Sequence, residues 1–402
     1  MVYYTRELEK IVNTFQKFPV IALLGPRQSG KSTLAKHFFK KHTFLNLEDL
    51  ELRTLALQDP KGFLRAYENP HGIILDEFQN CPDLLSYIQV IADAHDRPSY
   101  FILTGSQNFL MNQAISQSLA GRVGILTLLP FSTHELEKNN LLNSAKPEET
   151  IFKGCYPRVY NNFTPQEIYP SYIQTYIERD VRQLINVTNI ATFQKFIKLC
   201  AARIGQLLNY SDLAVNCTIS VPTVHQWLSL LEASYIIFLL RPHYNNFNKR
   251  VTKTPKIYFY DTGVVCSLLG IDSPQSLRLN SYYGSIFENF IIADLYKQYF
   301  NQGLPAPLYF WRDQNGSLEI DSLIEYNTQC YALEIKSGET FDKHFFDNLT
   351  KWGSIAQNPL SHNFVIYGGA QSLNTQIGSL RSWVTAGNLI ADIKKQGSHG
   401  NR

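Results

Sequence analysis

The sequence predicts an α/β protein in three parts, and three observations carry that expectation. Val20–Leu24 is an unbroken apolar run that opens into the loop Gly25-Pro26-Arg27-Gln28-Ser29-Gly30-Lys31-Ser32 and a helical continuation. A second apolar run, Ile73–Leu75, ends in Asp76-Glu77. Far downstream, Asp321, Glu334 and Lys336 fall on strand-like segments. Short continuous apolar runs are the mark of strands buried on both faces of a parallel sheet. A chain of 402 residues also exceeds one ordinary core.

The first loop fits G-x-x-x-x-G-K-[ST] between a strand and a helix, which is a P-loop in its expected setting. Gly25 and Gly30 let the backbone fold back. The N–H groups of Pro26's successors Arg27, Gln28, Ser29 and Gly30, with the helix start at Lys31, Ser32 and Thr33, then face the β-phosphate of a nucleotide. Lys31 is expected to bridge β- and γ-phosphate oxygens, and the Ser32 hydroxyl to ligate Mg²⁺. ATP and Mg²⁺ are therefore the predicted cofactors.

Composition narrows the remaining classes. An apolar fraction of 44% suffices for packed cores. A net charge of +3, from 37 basic and 34 acidic residues, neither demands nor excludes nucleic acid; any such contact falls to a local basic face. Cys81, Cys155, Cys200, Cys217, Cys266 and Cys330 contain no Cys-x-x-Cys pair, so spacing indicates neither a zinc site nor a disulfide framework. No apolar stretch approaches the roughly 18 residues of a membrane span, so a soluble, cytoplasmic protein without a membrane partner is expected.

Taken in order, residues 3–18 read as a helix, Phe44–Leu47 as a short strand, and Gly62–Tyr67 as a helix after the break at Asp59-Pro60. Asp76 and Glu77 end the next strand at its C-terminal edge, where ligands lie in open α/β sheets. This Walker B pattern gives Asp76 to Mg²⁺ and Glu77 to the attacking water. The strand Tyr100–Leu103 ends in Thr104-Gly105-Ser106-Gln107-Asn108, and either Thr104 or Ser106 is placed to sense the γ-phosphate, with a turn and helix cap as the equal alternative. Arg122 precedes the strand Val123–Leu129. It reads either as an arginine finger at the nucleotide edge, in cis or from a neighbouring subunit, or as a surface charge.

GPRQSGKST, IILDEFQ, LTGSQ and SLAGRVGILTLLPFS together resemble the AAA-type ATP-binding domain of bacterial and archaeal ATPases that carry a domain of unknown function, DUF4143, at their C-terminus. Gly154-Cys155-Tyr156-Pro157-Arg158 and Tyr176-Ile177-Glu178-Arg179-Asp180-Val181 resemble that family's GGYPR and TYLERDV segments. The departures are Cys155 for the second glycine and TGSQ for TGSS. The resemblance implies a nucleotide-proximal Arg122, with Arg158 and Arg179 as further candidates; ion pairing within a helical lid is the alternative for these two.

Residues 132–152 form a polar insertion, followed by helices near 165–186 and 191–208. A helix opening at Tyr210 and capped by Ser211, a turn at Cys217–Ser220, and Val221–Glu232 capped by Ser220 with Pro222 in its first turn resemble a winged helix-turn-helix. Between the strands Ile236–Arg241 and Lys256–Tyr260, a basic wing carries Tyr244, Phe247, Lys249, Arg250 and Lys253. With Lys256, these residues suit a phosphate backbone. The second helix exposes Thr223, His225, Gln226 and Ser229 and no basic residue, so DNA contact and protein contact both remain open.

In the last third, an amphipathic helix Tyr283–Phe300 bearing Glu288 precedes strands Leu308–Trp311, Glu319–Glu325 and Gln329–Ile335, then a helix Phe341–Trp352 and a strand Asn363–Tyr367. Glu334 and Lys336 point to one face, and a hairpin partner brings Asp321 beside them. Asp321, Glu334 and Glu288 are candidate ligands for a second divalent metal, with Lys336 positioning water or charge. The pattern resembles the PD-(D/E)XK restriction-endonuclease core; cross-strand salt bridging is the alternative.

The expected partition is a P-loop domain over 1–135, a helical lid or linker over 136–190, a winged-helix-like domain over 191–275, a nuclease-like domain over 276–390 and a tail over 391–402 that is polar and disordered from Lys394. The expected function is Mg²⁺-dependent ATP hydrolysis coupled to a nuclease-like domain acting on DNA, in a chain that forms homo-oligomers if Arg122 acts in trans. The alternative is an ATP-switched regulatory protein whose nuclease-like domain only binds.

Overall fold

β1 (Val20–Leu24), β2 (Thr43–Asn46), β3 (Ile73–Asp76), β4 (Phe101–Gly105) and β5 (Val123–Thr127) pair into one parallel sheet in the order β2-β3-β4-β1-β5. β1 is central and buried along its whole length, which is why its sequence is uniformly apolar. β4 is inserted between the P-loop strand and the strand ending in Asp76. Helices α1 (Leu8–Phe15) and α2 (Lys31–Phe38) cover one face, where Leu8, Val12, Leu34 and Ala35 meet Ile21, Leu23, Ile74 and Ile102. Burial of that face supplies the stability that helices this short lack alone.

The computed structural model describes residues 2–95, 97–106, 115, 118–143, 145–177, 190–243 and 254–399. It divides into two compact units, one built mainly from 1–130 and the other from most of 131–402. Gln107, Asn108, Arg179 and the wing residues Tyr244, Phe247, Lys249, Arg250 and Lys253 lie outside the described residues. Among the described residues no helix is long and apolar enough to cross a membrane.

The second unit contains an eight-stranded sheet. Its strands are β6 (Ile237–Pro242), β7 (Lys256–Phe259), β8 (Leu308–Arg312), β9 (Glu319–Tyr326), β10 (Gln329–Lys336), β11 (Asn363–Tyr367), β12 (Leu373–Thr375) and β13 (Gly378–Ser382), in the order β12-β13-β11-β10-β9-β8-β6-β7. β8, β9 and β10 form an antiparallel meander, and β10 then pairs in parallel with β11. Trp311, Ile320, Leu323 and Ala332 pack against Phe346, Leu349 and Trp352.

Several local expectations change. The helix Tyr210–Cys217 is capped by Asn209, whose side chain accepts from Asp212 N, rather than by Ser211. The next helix keeps Ser220 as its cap, with Thr223 N donating to Ser220 Oγ. Tyr283–Phe300 is buried nearly all round instead of amphipathic, because Asn289, Asp294 and Gln298 are hydrogen-bonded inside the protein. The tail is helical over Leu389–His399, where Leu389, Ile390 and Ile393 are buried; its polar residues hid that apolar spacing.

Candidate functional site

At the C-terminal edge of the parallel sheet, Gly25 has φ 147° and Gly30 φ 98°, both in the region that favours glycine. A Cβ on Gly25 would stand 2.1 Å from Leu128 O, so no other residue fits there. The resulting loop leads directly into α2. Lys31 is buried, and its ammonium donates to Gly25 O at 2.9 Å and Pro26 O at 2.7 Å. Arg27 reaches Glu48 at 3.4 Å. Ser29 Oγ and Gln28 Oε1 are buried without a hydrogen-bond partner within the protein, and the Ser29 hydroxyl is a donor suited to an oxygen-rich ligand.

The strand-end residues converge beside this loop. Ser32 Oγ donates to Asp76 Oδ1 at 2.7 Å, and Thr104 Oγ1 donates to the same oxygen. Glu77 adopts φ 53°, a left-handed conformation that is uncommon for a non-glycine residue. Its Oε2 accepts from Gln79 Nε2 and from Ser106 Oγ at 3.3 Å. Both candidate sensor hydroxyls are therefore engaged, Thr104 with Asp76 and Ser106 with Glu77. The Asp76 carboxylate with the hydroxyls of Ser32 and Thr104 is an all-oxygen donor set suited to a hard cation.

Arg122 does not sit there. It precedes β5, whose parallel register with β1 pairs Val20 with Val123, so Arg122 lies at the opposite edge of the sheet from the P-loop. Its guanidinium makes a two-pronged ion pair with Asp93. The assumed nucleotide-edge placement is corrected: a residue before a parallel strand is at the N-terminal edge, not the ligand edge.

One residue with no motif signature supports the loop. Arg6 is buried, and donates to Ser29 O at 2.8 Å and Leu129 O at 2.6 Å. Glu9 holds this segment by accepting from Arg6 N and Tyr3 Oη, both at 2.7 Å. Arg6 thus ties the P-loop to the segment following β5. A single arginine near the chain start carries no periodic or motif signal, so only the fold identifies it.

In the second unit, the register Leu333↔Ser322 sets Asp321 beside Glu334, and Asp321 Oδ2 accepts from Ile335 N at 2.7 Å. Lys336 Nζ lies 2.7 Å from Glu334 Oε1. Glu288 accepts from Tyr258 Oη at 2.5 Å and lies 3.7 Å from Lys256 Nζ. Lys256 is buried and also pairs with Glu319, which Arg312 contacts at 3.2 Å. Lys256 is thereby removed from the basic wing and placed in this cluster. Burial, followed by the Asp321 charge, pushes Glu334 up to about 8 and Glu288 up to about 7; burial also raises Asp321. Glu288, Asp321 and Glu334 are not among the described groups of three whose ligand atoms lie within 4.8 Å of one another. Arg158 lies instead over the Phe163 ring, 4.9 Å from its centroid.

Comparison with known proteins agrees with the first of these sites. Residues 17–137 match the family described as AAA domain, 144–275 a domain of unknown function (DUF8612), and 283–384 a domain of unknown function (DUF4143). An uncharacterized protein of Mycobacterium tuberculosis is 30% identical over 336 residues, covering 82% of this chain and 73% of that protein. The chain belongs to the AAA-domain ATPases that carry DUF4143. An uncharacterized protein of Methanocaldococcus jannaschii is 24% identical over 345 residues, covering 77% of this chain and 74% of its own. Among solved structures, a Walker-type ATPase of Pyrococcus abyssi is similar over 65% of this chain and 94% of its own, with 17% identity and a TM-score of 0.41. The first part of this DUF4143 protein is a P-loop ATPase domain of the AAA type, in a family that uses ATP and Mg²⁺.

Proposed function

We propose that the parallel-sheet site hydrolyses ATP, with Asp76 and Ser32 holding Mg²⁺ and Glu77 activating water. The convergence of Ser32 and Thr104 on one oxygen of Asp76 carries this reading. Bound Mg²⁺ would supply charge neutralisation of the phosphates. The Gly25–Ser32 backbone cradles the phosphates, Lys31 moves from the Gly25 and Pro26 carbonyls to phosphate oxygens, and Thr104 keeps Asp76 oriented. Glu77 holds the attacking water as its carboxylate exchanges Ser106 and Gln79 for that water. ATPase measurements on the parent, Lys31→Ala and Glu77→Gln test this: Glu77→Gln should bind ATP and fail to turn it over, and undiminished turnover would reject the assignment.

We infer further that the third part is a nuclease-like domain acting on DNA under ATP control. Support comes from the order helix, three antiparallel strands, helix and parallel strand, with Asp321, Glu334 and Lys336 on the adjacent β9 and β10. Asp321 and Glu334 are its candidate metal ligands; Glu288, engaged by Tyr258 and Lys256, fits that role less well. The winged-helix reading of 191–275 belongs to the same proposal, as the part that couples the two activities. A second reading, an ATP-switched binding module, is favoured by one observation: Lys256, Arg312 and Lys336 already pair with the cluster's acids. Plasmid and single-stranded DNA incubated with Mg²⁺ or Mn²⁺, with and without ATP, separate them. Cleavage lost in Lys336→Ala supports the nuclease; no cleavage by an ATPase-active parent supports the module.

A further inference from the structure

We propose that His243, Glu325 and Cys330 form a binding site for one divalent cation of the zinc class, separate from both sites above. His243 Nε2 lies 2.7 Å from Glu325 Oε1 and 3.8 Å from Cys330 Sγ. All three atoms lie within 4.8 Å of one another, and this is the only such trio among the described residues.

The scaffold holds two of these residues in fixed register. Glu325 on β9 and Cys330 on β10 are directly opposite, next to a hairpin turn in which Asn327 and Thr328 have φ 49° and 63°. Two consecutive left-handed residues match the twist of a tight hairpin and pin its pairing. His243 follows β6, and its N–H donates to Phe310 O of β8 at 2.8 Å. Its ring meets Tyr309 edge-on, with centroids 5.4 Å apart. Three strands of one sheet thus deliver an imidazole, a carboxylate and a thiol to one point. His243 is 2% exposed and Glu325 41% exposed on its side chain, so the point has a buried floor and a solvent entrance.

The donor chemistry selects the ion. Nitrogen, sulfur and carboxylate oxygen as three protein ligands, with a fourth position for water, is a zinc composition; Mg²⁺ prefers oxygen alone. Metal–ligand bonds of about 2.0–2.3 Å in a tetrahedron put neighbouring donor atoms roughly 3.3–3.8 Å apart. The His243–Cys330 separation already meets this, and the exposed Glu325 side chain need move only slightly. Binding forms a metal–sulfur bond as the Cys330 thiol releases its proton to solvent, with no redox change. His243 Nδ1 is buried without a partner, so the ring lacks the outer hydrogen bond that usually supports a ligating histidine. That absence weakens such sites by roughly 10–100-fold, so loose, exchangeable binding is expected.

The test uses the reduced full-length protein and Co²⁺ as the probe. One equivalent should produce a thiolate-to-cobalt charge-transfer band that Zn²⁺ displaces and excess Mg²⁺ leaves intact. Cys330→Ser should lose the band, and His243→Gln should weaken binding at least tenfold. Zn²⁺ should raise the melting temperature of the parent but not of Cys330→Ser. The other five cysteines are buried, so a band surviving in Cys330→Ser would overturn the proposal, as would its absence from the parent. If Cys330→Ser folds poorly, Glu325→Gln at the exposed position decides: reduced Co²⁺ affinity supports the site, and unchanged affinity rejects the three-ligand set.

Discussion

Asp76 and Glu77 at the parallel-sheet edge are met by hydroxyls and one amide, whereas Glu288, Glu319 and Glu334 are met by ammonium and guanidinium groups. Both regions gather carboxylates, but they treat the charge differently. Among the described residues the first pair has no ion pair, so its negative charge is left for a cation. The second cluster compensates itself with Lys256, Arg312 and Lys336. Clustered acids alone therefore do not announce a metal site; what neutralises them decides. The difference also concerns construction. The P-loop is made largely of consecutive backbone groups, and the second cluster of side chains from a helix and four strands.

The comparison breaks first at Glu77. Glu77→Gln should lower kcat for ATP roughly 10²–10⁴-fold with nucleotide binding retained, read by steady-state hydrolysis and equilibrium binding. A small loss would mean that Glu77 resembles the compensated acids. Next, Lys256→Met strips the buried cation from Glu288 and Glu319, and should destabilise the protein by about 3–5 kcal/mol in denaturant unfolding at neutral pH. Unchanged stability would remove the claim of internal compensation.

Arg6→Ala withdraws a charged double donor from Ser29 O and Leu129 O, contacts worth roughly 1.5–3 kcal/mol each. The expected result is a raised KM for ATP with a smaller change in kcat, partly restored by Arg6→Lys. Equal losses in both variants with no KM effect would make Arg6 purely structural.

The pH dependence sharpens the second half of the comparison. Glu334 and Glu288 are raised in the folded state, so that state holds more protons than the unfolded chain between about pH 4.5 and 8. Their contribution to stability is present below the unfolded value and is lost as pH rises through the folded values. Melting temperature should fall from pH 5.5 to about 8, and Glu334→Gln should flatten that slope. Arg122→Ala should have the smallest effect, leaving ATP hydrolysis by the isolated chain essentially unchanged, since its contact is the exposed Asp93. A large loss of activity would reopen a role in trans.

The ATPase region was legible because its chemistry is local. A five-residue apolar strand, two glycines at fixed spacing and a lysine specify backbone geometry within one continuous segment, and Asp76-Glu77 follow at the end of another. The strands bearing Asp321, Glu334 and Lys336 were equally readable as short strand-like segments, and the two-residue repeat put Glu334 and Lys336 on one face. Arg122 was misplaced because strand direction, not sequence neighbourhood, fixes which sheet edge a flanking residue occupies. Most of the C-terminal helix was read as a tail because Ile393 among polar residues looks weak until a partner surface exists.

By itself the sequence determined the strand–loop–helix of the P-loop, the acidic strand end and the succession of elements in the last third, since each depends on contiguous residues and their periodicity. Only the tertiary structure decided which distant groups meet. Arg6 reaches Ser29 across 23 residues and Lys256 joins Glu288 in a carboxylate cluster. His243 lies beside a cysteine 87 residues away that sequence spacing had set aside as unpaired. These outcomes follow from strand order and register, which bring remote side chains to hydrogen-bonding distance without leaving a spacing signal in the chain.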